Sequence, residues 1–261
     1  MIKNYSPAEL EDFVNAIRNA SLEIAKANPS FYMVSLSGGL PLFDILRIID
    51  RNVDADKAIY FPTASRINNS SEVVTRCFEN LFLERRDETN EPRVIASLDE
   101  VVSGASVEKV INSYNSASRR VARETPSQNS SSSSEDEAEK LRYKFPFKVF
   151  GIREMRPTGN KMNWEYLNRV KKKEILEFPT NRIITMDNPD FETVKFEQPN
   201  SSGSNGMSFY PKVREIVMKE SYATLLSDIA KLVGVDPASF EPQRARIIPD
   251  CAKYSKKPVY K

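Results

Sequence analysis

Two acids, Asp99 and Glu100, lie just ahead of the turn Ser103-Gly104-Ala105-Ser106, within the run RVIASLDEVVSGASVEKVINSY at residues 93–114. Carboxylates in that position can accept hydrogen bonds from sugar hydroxyls, and Asp99 can ligate a Mg²⁺ ion. The stretch Val102, Ser103, Gly104, Ala105, Ser106 suits a phosphate group. Gly104 lets the backbone come close, the two serines offer hydroxyls, and a helix starting there points free N–H groups and the positive end of its dipole into the turn. A second glycine turn, Ser37-Gly38-Gly39, follows the apolar residues FYMVSL. Acids beside a phosphate-sized turn suggest a phosphorylated sugar.

These residues need a scaffold, and the periodicity supplies one. Val94, Ile95 and Leu98 read as a buried strand, and Val107, Val110 and Ile111 recur at helical spacing after Gly104. Phe31 to Asp50 repeats the strand, turn and helix order, with Leu42, Ile45, Leu46 and Ile49 on one helical face. Ala58 to Phe61 is a further short strand, and Pro62 to Arg93 holds a charged helix in which Arg66 and the pair Arg85-Arg86 are candidate cations. Near the start, Ser6, Pro7 and Glu9 form a capping box ahead of Leu10, Phe13, Val14 and Ile17. Thr125 to Glu139, rich in Ser and acid, reads as a disordered spacer because it offers too little apolar surface to offset chain entropy.

The chain therefore divides into a core at 1–124 with both turns, a linker at 125–139, and a remainder at 140–261. In that remainder Phe147 to Ile152 reads as a strand, Trp164 to Leu176 as a basic helix, and Arg182 to Met186 and Phe191 to Phe196 as strands. A flexible loop at Asn200 to Ser208 precedes one or two helices over Val213 to Val233, with Val217, Leu225, Ile229 and Leu232 as core positions. The alternation of strands and helices implies an α/β fold. Its centre is a mainly parallel sheet of about five strands, with helices on both faces and ligands at the carboxyl ends of the strands.

Composition removes several functions. The chain has 261 residues and no histidine, which sets aside Ser-His-Asp and Cys-His nucleophilic sites and the common zinc sites. Two cysteines make no disulfide framework, in keeping with a reducing compartment. A net charge of +2 gives little support to nucleic-acid binding, and the basic end CAKYSKKPVYK reads as a solvated terminus. No apolar run is long enough for a membrane span and the first residues lack a signal-peptide layout, so the cytoplasm is the expected location.

Strand, acidic pair and Ser-Gly-Ala-Ser turn together resemble the 5-phosphoribosyl-1-pyrophosphate (PRPP) loop of type I phosphoribosyltransferases. The earlier Ser37-Gly38-Gly39 turn looks like that family's pyrophosphate loop, and the two motifs follow in the family's order across residues 30 to 115. The resemblance implies that Asp99 and Glu100 meet the ribose hydroxyls in the catalytic site, that Val102 to Ser106 hold the 5-phosphate, and that Ser37, Gly38 and Gly39 hold a Mg²⁺-bound pyrophosphate. It also implies a mobile lid carrying Arg66, a small cap region after the core, Mg²⁺ as cofactor and a homodimer. The activity so implied is glycosyl transfer: pyrophosphate leaves the ribose anomeric carbon and a nitrogenous base takes its place. Aligned on Ser103 to Ser106, Leu98 stands where the family's first acid is usual and Glu100 where an apolar residue is usual. That departure suits the alternative of a related module that binds PRPP or a nucleotide without turnover and serves regulation or assembly.

Overall fold

Helix α1 (Pro7–Ala27) begins as the capping box dictates. The Ser6 hydroxyl accepts the Glu9 N–H, and the Glu9 carboxylate accepts the Ser6 N–H. Its stripe of Leu10, Phe13, Val14 and Ile17 is buried. The molecule, a computed structural model, is described here over residues 5–36, 38–62, 70–88, 91–125, 133–156, 161–185, 194–196, 213–242 and 244–260.

The chain continues through β1 (Phe31–Ser35), α2 (Gly39–Ile49), β2 (Ala58–Phe61), α3 (Ser70–Arg85), β3 (Ile95–Val101), α4 (Ala105–Glu124), α5 (Ser134–Lys144), β4 (Phe147–Glu154), α6 (Trp164–Lys171) and β5 (Ile175–Thr180). The five strands pair in the order β2-β1-β3-β4-β5, every pair parallel. One face packs Ala96, Leu98, Phe150 and Ile152 against α1, α2 and the later helix α7 (Glu220–Leu232). The other packs Met33, Ile59 and Ile95 against Phe78 and Phe82 of α3 and Tyr114 of α4. The fold is therefore α/β with helices on both faces, as the strand and helix alternation implies.

Strand β2 is an edge, and the last helix, α8 (Ile247–Tyr254), covers it. Arg246 donates to the Ala58 carbonyl at 3.0 Å and the Cys251 thiol lies 3.5 Å from the Tyr60 carbonyl, so side chains take the place of a missing strand. The basic end of the chain is thus packed at some positions, while Lys253, Lys256 and Lys257 stay exposed. Cys251 and Tyr254 are buried, Lys253 pairs with Glu84 at 2.6 Å, and the Asn80 side chain donates to the carbonyls of Tyr254 and Lys256. Cys77 and Cys251 are both free and buried.

Other expectations are corrected. The spacer does not extend to residue 139: Ser133 caps α5, with Asp136 closing the capping box and three acids in the first turn facing the positive end of the dipole. Residues 126–132 lie outside the described part. The basic helix stops at Lys171, not Leu176, because Lys173 turns left-handed at φ 60° and Ile175 and Leu176 enter β5. Residues 182–185 form no strand, and 186–193 lie outside the described residues. Val213–Ile216 is not helical; it forms strand β7, paired antiparallel with β6 (Val194–Phe196). In α7, Leu225 and Ile229 are buried as expected, whereas Val217 is only half-buried and Leu232 is exposed. The loop expected at Asn200 to Ser208 falls outside the described residues.

Candidate functional site

Strand order decides where a site can form. From β1 the chain passes outward to β2 and then returns across β1 to β3, so β1 and β3 are neighbours whose connections leave in opposite directions. A crevice opens at such a switch point, outside the carboxyl ends of the two strands. The turn after β1 carries Gly38 and Gly39, and the end of β3 carries Asp99 and Glu100.

The structure brings these four residues together. A methyl group built on Gly38 would fall 2.7 Å from Asp99 Oδ1 and 3.6 Å from Glu100 Oε2, so the glycine makes room for both carboxylates. The Gly39 N–H donates to Ser35 Oγ at 2.8 Å, and Pro41 has no N–H to give. The amino end of α2 thus has few free donors and faces two acids. Ser37 and Arg66 lie outside the described residues.

The second turn is on the same edge, directly after β3. Val102 and Ser103 are half-buried, Gly104 is buried, and Ala105 and Ser106 are exposed at the start of α4. Gly104 adopts φ 78°, a left-handed conformation that favours glycine. Its open side is filled by Tyr166 of α6. A Cβ on Gly104 would lie 2.7 Å from Tyr166 Cβ and Cδ2 and closer still to Cγ. The other end of this ring lies near Gly151 of β4, whose missing Cβ would be 3.2 Å from the Tyr166 hydroxyl. That hydroxyl donates to Glu177 at 2.6 Å, and Arg153 pairs with Glu177 at 3.1 Å. The Asn163 N–H donates to the Ser103 carbonyl at 2.7 Å. What leaves the turn open is therefore the first exposed residues of α4, Ala105 and Ser106, while the Gly104 face is closed by an aromatic ring.

Burial sets the electrostatics. Asp99, 8% exposed, is pushed up to about 7 by desolvation, moderated by the hydrogen bond it accepts from the Glu100 N–H at 3.0 Å. Glu100 is pushed up to about 8, first by desolvation and then by the charges of Asp99 and Glu154; a hydrogen bond from Thr185 works the other way. Six carboxylates are buried among the described residues: Asp44, Glu79, Asp99, Glu108, Glu154 and Asp250. Five have an arginine within ion-pair distance, namely Arg244, Arg120, Arg169, Arg156 and Arg246 respectively for Asp44, Glu79, Glu108, Glu154 and Asp250. Among the described residues Asp99 has none, and neither has Glu100.

A desolvated acid pair without a cation fits a divalent ion, with Asp99 and Glu100 supplying carboxylate oxygens. No group of three or more His, Cys, Asp or Glu that could hold a metal occurs among the described residues. An ion here would take its remaining ligands from a bound phosphate ester and water, which is the habit of Mg²⁺.

Sequence reasoning missed four participants. The sequence marks Ser35 only as strand, Tyr166 only as part of a basic helix and Thr185 as the interior of a strand, and Glu154 lies beyond the strand expected at Phe147 to Ile152. An acid at a strand's carboxyl end was the one signal that could have marked Glu154. The pair Arg85-Arg86 is placed elsewhere. Arg85 lies over the ring of Phe31, the first residue of β1, and pairs with Glu84 and Glu88 at the opposite edge of the sheet. Arg169 is held between Glu108 and Glu174. No helix among the described residues is long and apolar enough to cross a membrane.

Comparison of the chain with protein-family models, with curated proteins and with solved structures gives no match.

Proposed function

We propose that the chain is a phosphoribosyltransferase-like protein of the reducing cytoplasm that binds PRPP or a nucleotide at the β1/β3 switch point. There it transfers the phosphoribosyl group to a nitrogenous base with release of pyrophosphate. The observation that carries this reading is Asp99: the one buried carboxylate among the described residues without an arginine, pressed against the backbone of the Gly38 turn. A fold that neutralises its other buried acids and leaves this one bare at a switch point has the character of a ligand site.

In this reading Asp99 and Glu100 accept hydrogen bonds from the ribose 2- and 3-hydroxyls, which need acceptors that water cannot easily replace. The exposed first turn of α4, with the N–H groups of Ala105 and Ser106 and the Ser106 hydroxyl, receives the 5-phosphate. Gly38 and Gly39 border the pyrophosphate. Asp99 and Glu100 would hold Mg²⁺, which would supply charge neutralisation for the leaving pyrophosphate. The protein's own contribution is positioning and exclusion of water, which suits a reaction that needs no imidazole.

Two observations favour binding without turnover. Leu98, in the position of the family's first acid, is buried in the core at 7% exposure, and Tyr166 narrows the phosphate turn at Gly104. Calorimetry with PRPP, with and without Mg²⁺, followed by a pyrophosphate-release assay over a panel of purine and pyrimidine bases, separates the cases. Binding with release supports the transferase, and binding without release for any base supports the module. Absence of binding refutes both.

A further inference from the structure

After β5 the chain turns back over the carboxyl edge of the sheet. The Thr180 hydroxyl and the Asn181 N–H both donate to Asp12 of α1, at 2.9 and 2.7 Å, and Arg182 pairs with Glu9 at 3.2 Å. The Ile183 N–H donates to Glu154 Oε2 at the end of β4, at 3.1 Å. Ile183 and Ile184 are buried in the core. Finally the Thr185 hydroxyl donates to Glu100 Oε1 at the end of β3. Residues 180–185 thus form a strap that crosses from β5 past β4 to β3, anchored at each step.

Glu100 is where the strap and the site meet. One of its carboxylate oxygens is held by Thr185, and the other, Oε2, faces the space beside Gly38. A glutamate side chain has three rotatable bonds, and an acid at the rim of a crevice would sample several orientations unless something fixed one oxygen. Two buried isoleucines make the strap a rigid anchor for that purpose. Asp99 needs no such help, since its own neighbour's N–H orients it.

We propose that Thr185 is a positioning residue for Glu100: its hydroxyl fixes Oε1 so that Oε2 is presented to the Gly38 turn together with Asp99 Oδ1. The inference rests on the reading of this edge as the ligand site, and it assigns the strap the task of setting the acid pair's geometry. Among the described residues the charged groups facing Glu100 are Asp99 beside it on β3 and Glu154 on β4, the latter paired with Arg156 at 2.6 Å, so the Thr185 hydroxyl is the donor that fixes the orientation of Glu100.

The test compares wild type with Thr185→Val, which keeps the shape and removes the hydroxyl, and Thr185→Ser, which restores it. Side-chain scalar couplings of Glu100, measured by NMR on the free protein at one pH, report whether its carboxylate holds a single orientation. The expected result is couplings averaged over rotamers in the valine variant and wild-type couplings in the serine variant, with circular dichroism unchanged. Calorimetry with PRPP and Mg²⁺ is expected to show affinity about tenfold weaker for valine and restored for serine, the usual scale for removing a group that orients a ligand-binding side chain. Equal Glu100 couplings in all three proteins would overturn the proposal whether or not PRPP binds. Failure of wild type to bind PRPP, with the couplings moving as expected, would instead remove the phosphoribosyl reading and leave the positioning role standing.

Discussion

Gly104→Ala measures what the left-handed turn is for. At φ 78° a non-glycine residue costs roughly 1–2 kcal/mol of backbone strain. The added methyl would also land within 2.7 Å of three Tyr166 carbons, and overpacking a fitted site costs about 1–3 kcal/mol more. The sum is about 2–5 kcal/mol, and each kcal/mol moves the thermal midpoint of a protein of this size by roughly 2–4 °C. A double-mutant cycle with Tyr166→Ala separates the parts. Removing the ring carries its own cavity cost, roughly 3–5 kcal/mol for a large aromatic, but in that background the methyl meets no ring and only the strain should remain. Urea denaturation followed by circular dichroism supplies the four free energies. An interaction energy of about 1–3 kcal/mol is expected. If Gly104→Ala costs the same with and without the ring, Tyr166 does not dictate the glycine and the packing argument fails.

Three further outcomes follow from the charges. Asp99 and Glu100 stand at about 7 and about 8, above the ordinary carboxylate value of about 4, so the folded protein holds protons that the unfolded chain has released. Stability contributed by these groups is therefore present at low pH and lost as pH rises from about 4 through about 8. Asp99→Asn should be more stable than wild type at pH 8, by up to about 4 kcal/mol in urea titrations, with the gap narrowing as pH falls and closing below about 4; a gap that does not change with pH would refute this. Asp44, buried on α2, accepts hydrogen bonds from Arg244 and from the Tyr222 hydroxyl at 2.6 Å. Asp44→Ala strands a buried guanidinium and should cost about 3–5 kcal/mol, and a loss under about 1 kcal/mol would show that the arginine finds water instead. Finally, PRPP binding should vanish in excess chelator and return with Mg²⁺, because the Gly38 turn offers an anion two acids and few donors; binding that ignores the chelator would contradict that charge balance.

Much of the framework was legible because it depends on local periodicity. The capping box at Ser6 and the strand before Gly38 are each specified within a dozen residues and form as read, whereas the strand leading to the acidic pair runs on through Asp99 and Glu100 to Val101. Parallel pairing followed from the alternation of strands and helices. The failures lie where distant residues decide. A Val-Arg-Glu-Ile segment reads as helix or strand until its antiparallel partner is known, and Lys173 ended a helix that periodicity alone would have continued. The capping box at Ser133 was present in the sequence but hidden by the low complexity around it. Glycine at 104 was read as access for a phosphate, and no local pattern reveals that a tyrosine 62 positions later fills its open side. The strap was illegible for the same reason, since its meaning lies in contacts with Asp12, Glu154 and Glu100 on three other elements.

The contrast between Asp44 and Asp99 shows why the edge of the sheet, rather than the core, carries the functional argument. Both carboxylates are buried, and both lie close to the β1/α2 connection. Around Asp44 the chain spends residues from far along its length, Tyr222 and Arg244, to satisfy the charge. Among the described residues Asp99 receives one backbone N–H and no arginine, and a bare glycine turn packs against the acid. Burying an acid without a partner is expensive, and a chain that recruits arginines to Asp44, Glu79, Glu108, Glu154 and Asp250 is not short of means. An amide at position 99 would relieve that cost without any new packing. The ligand proposed for this crevice would offset the same penalty by bringing a cation or hydroxyl donors with it.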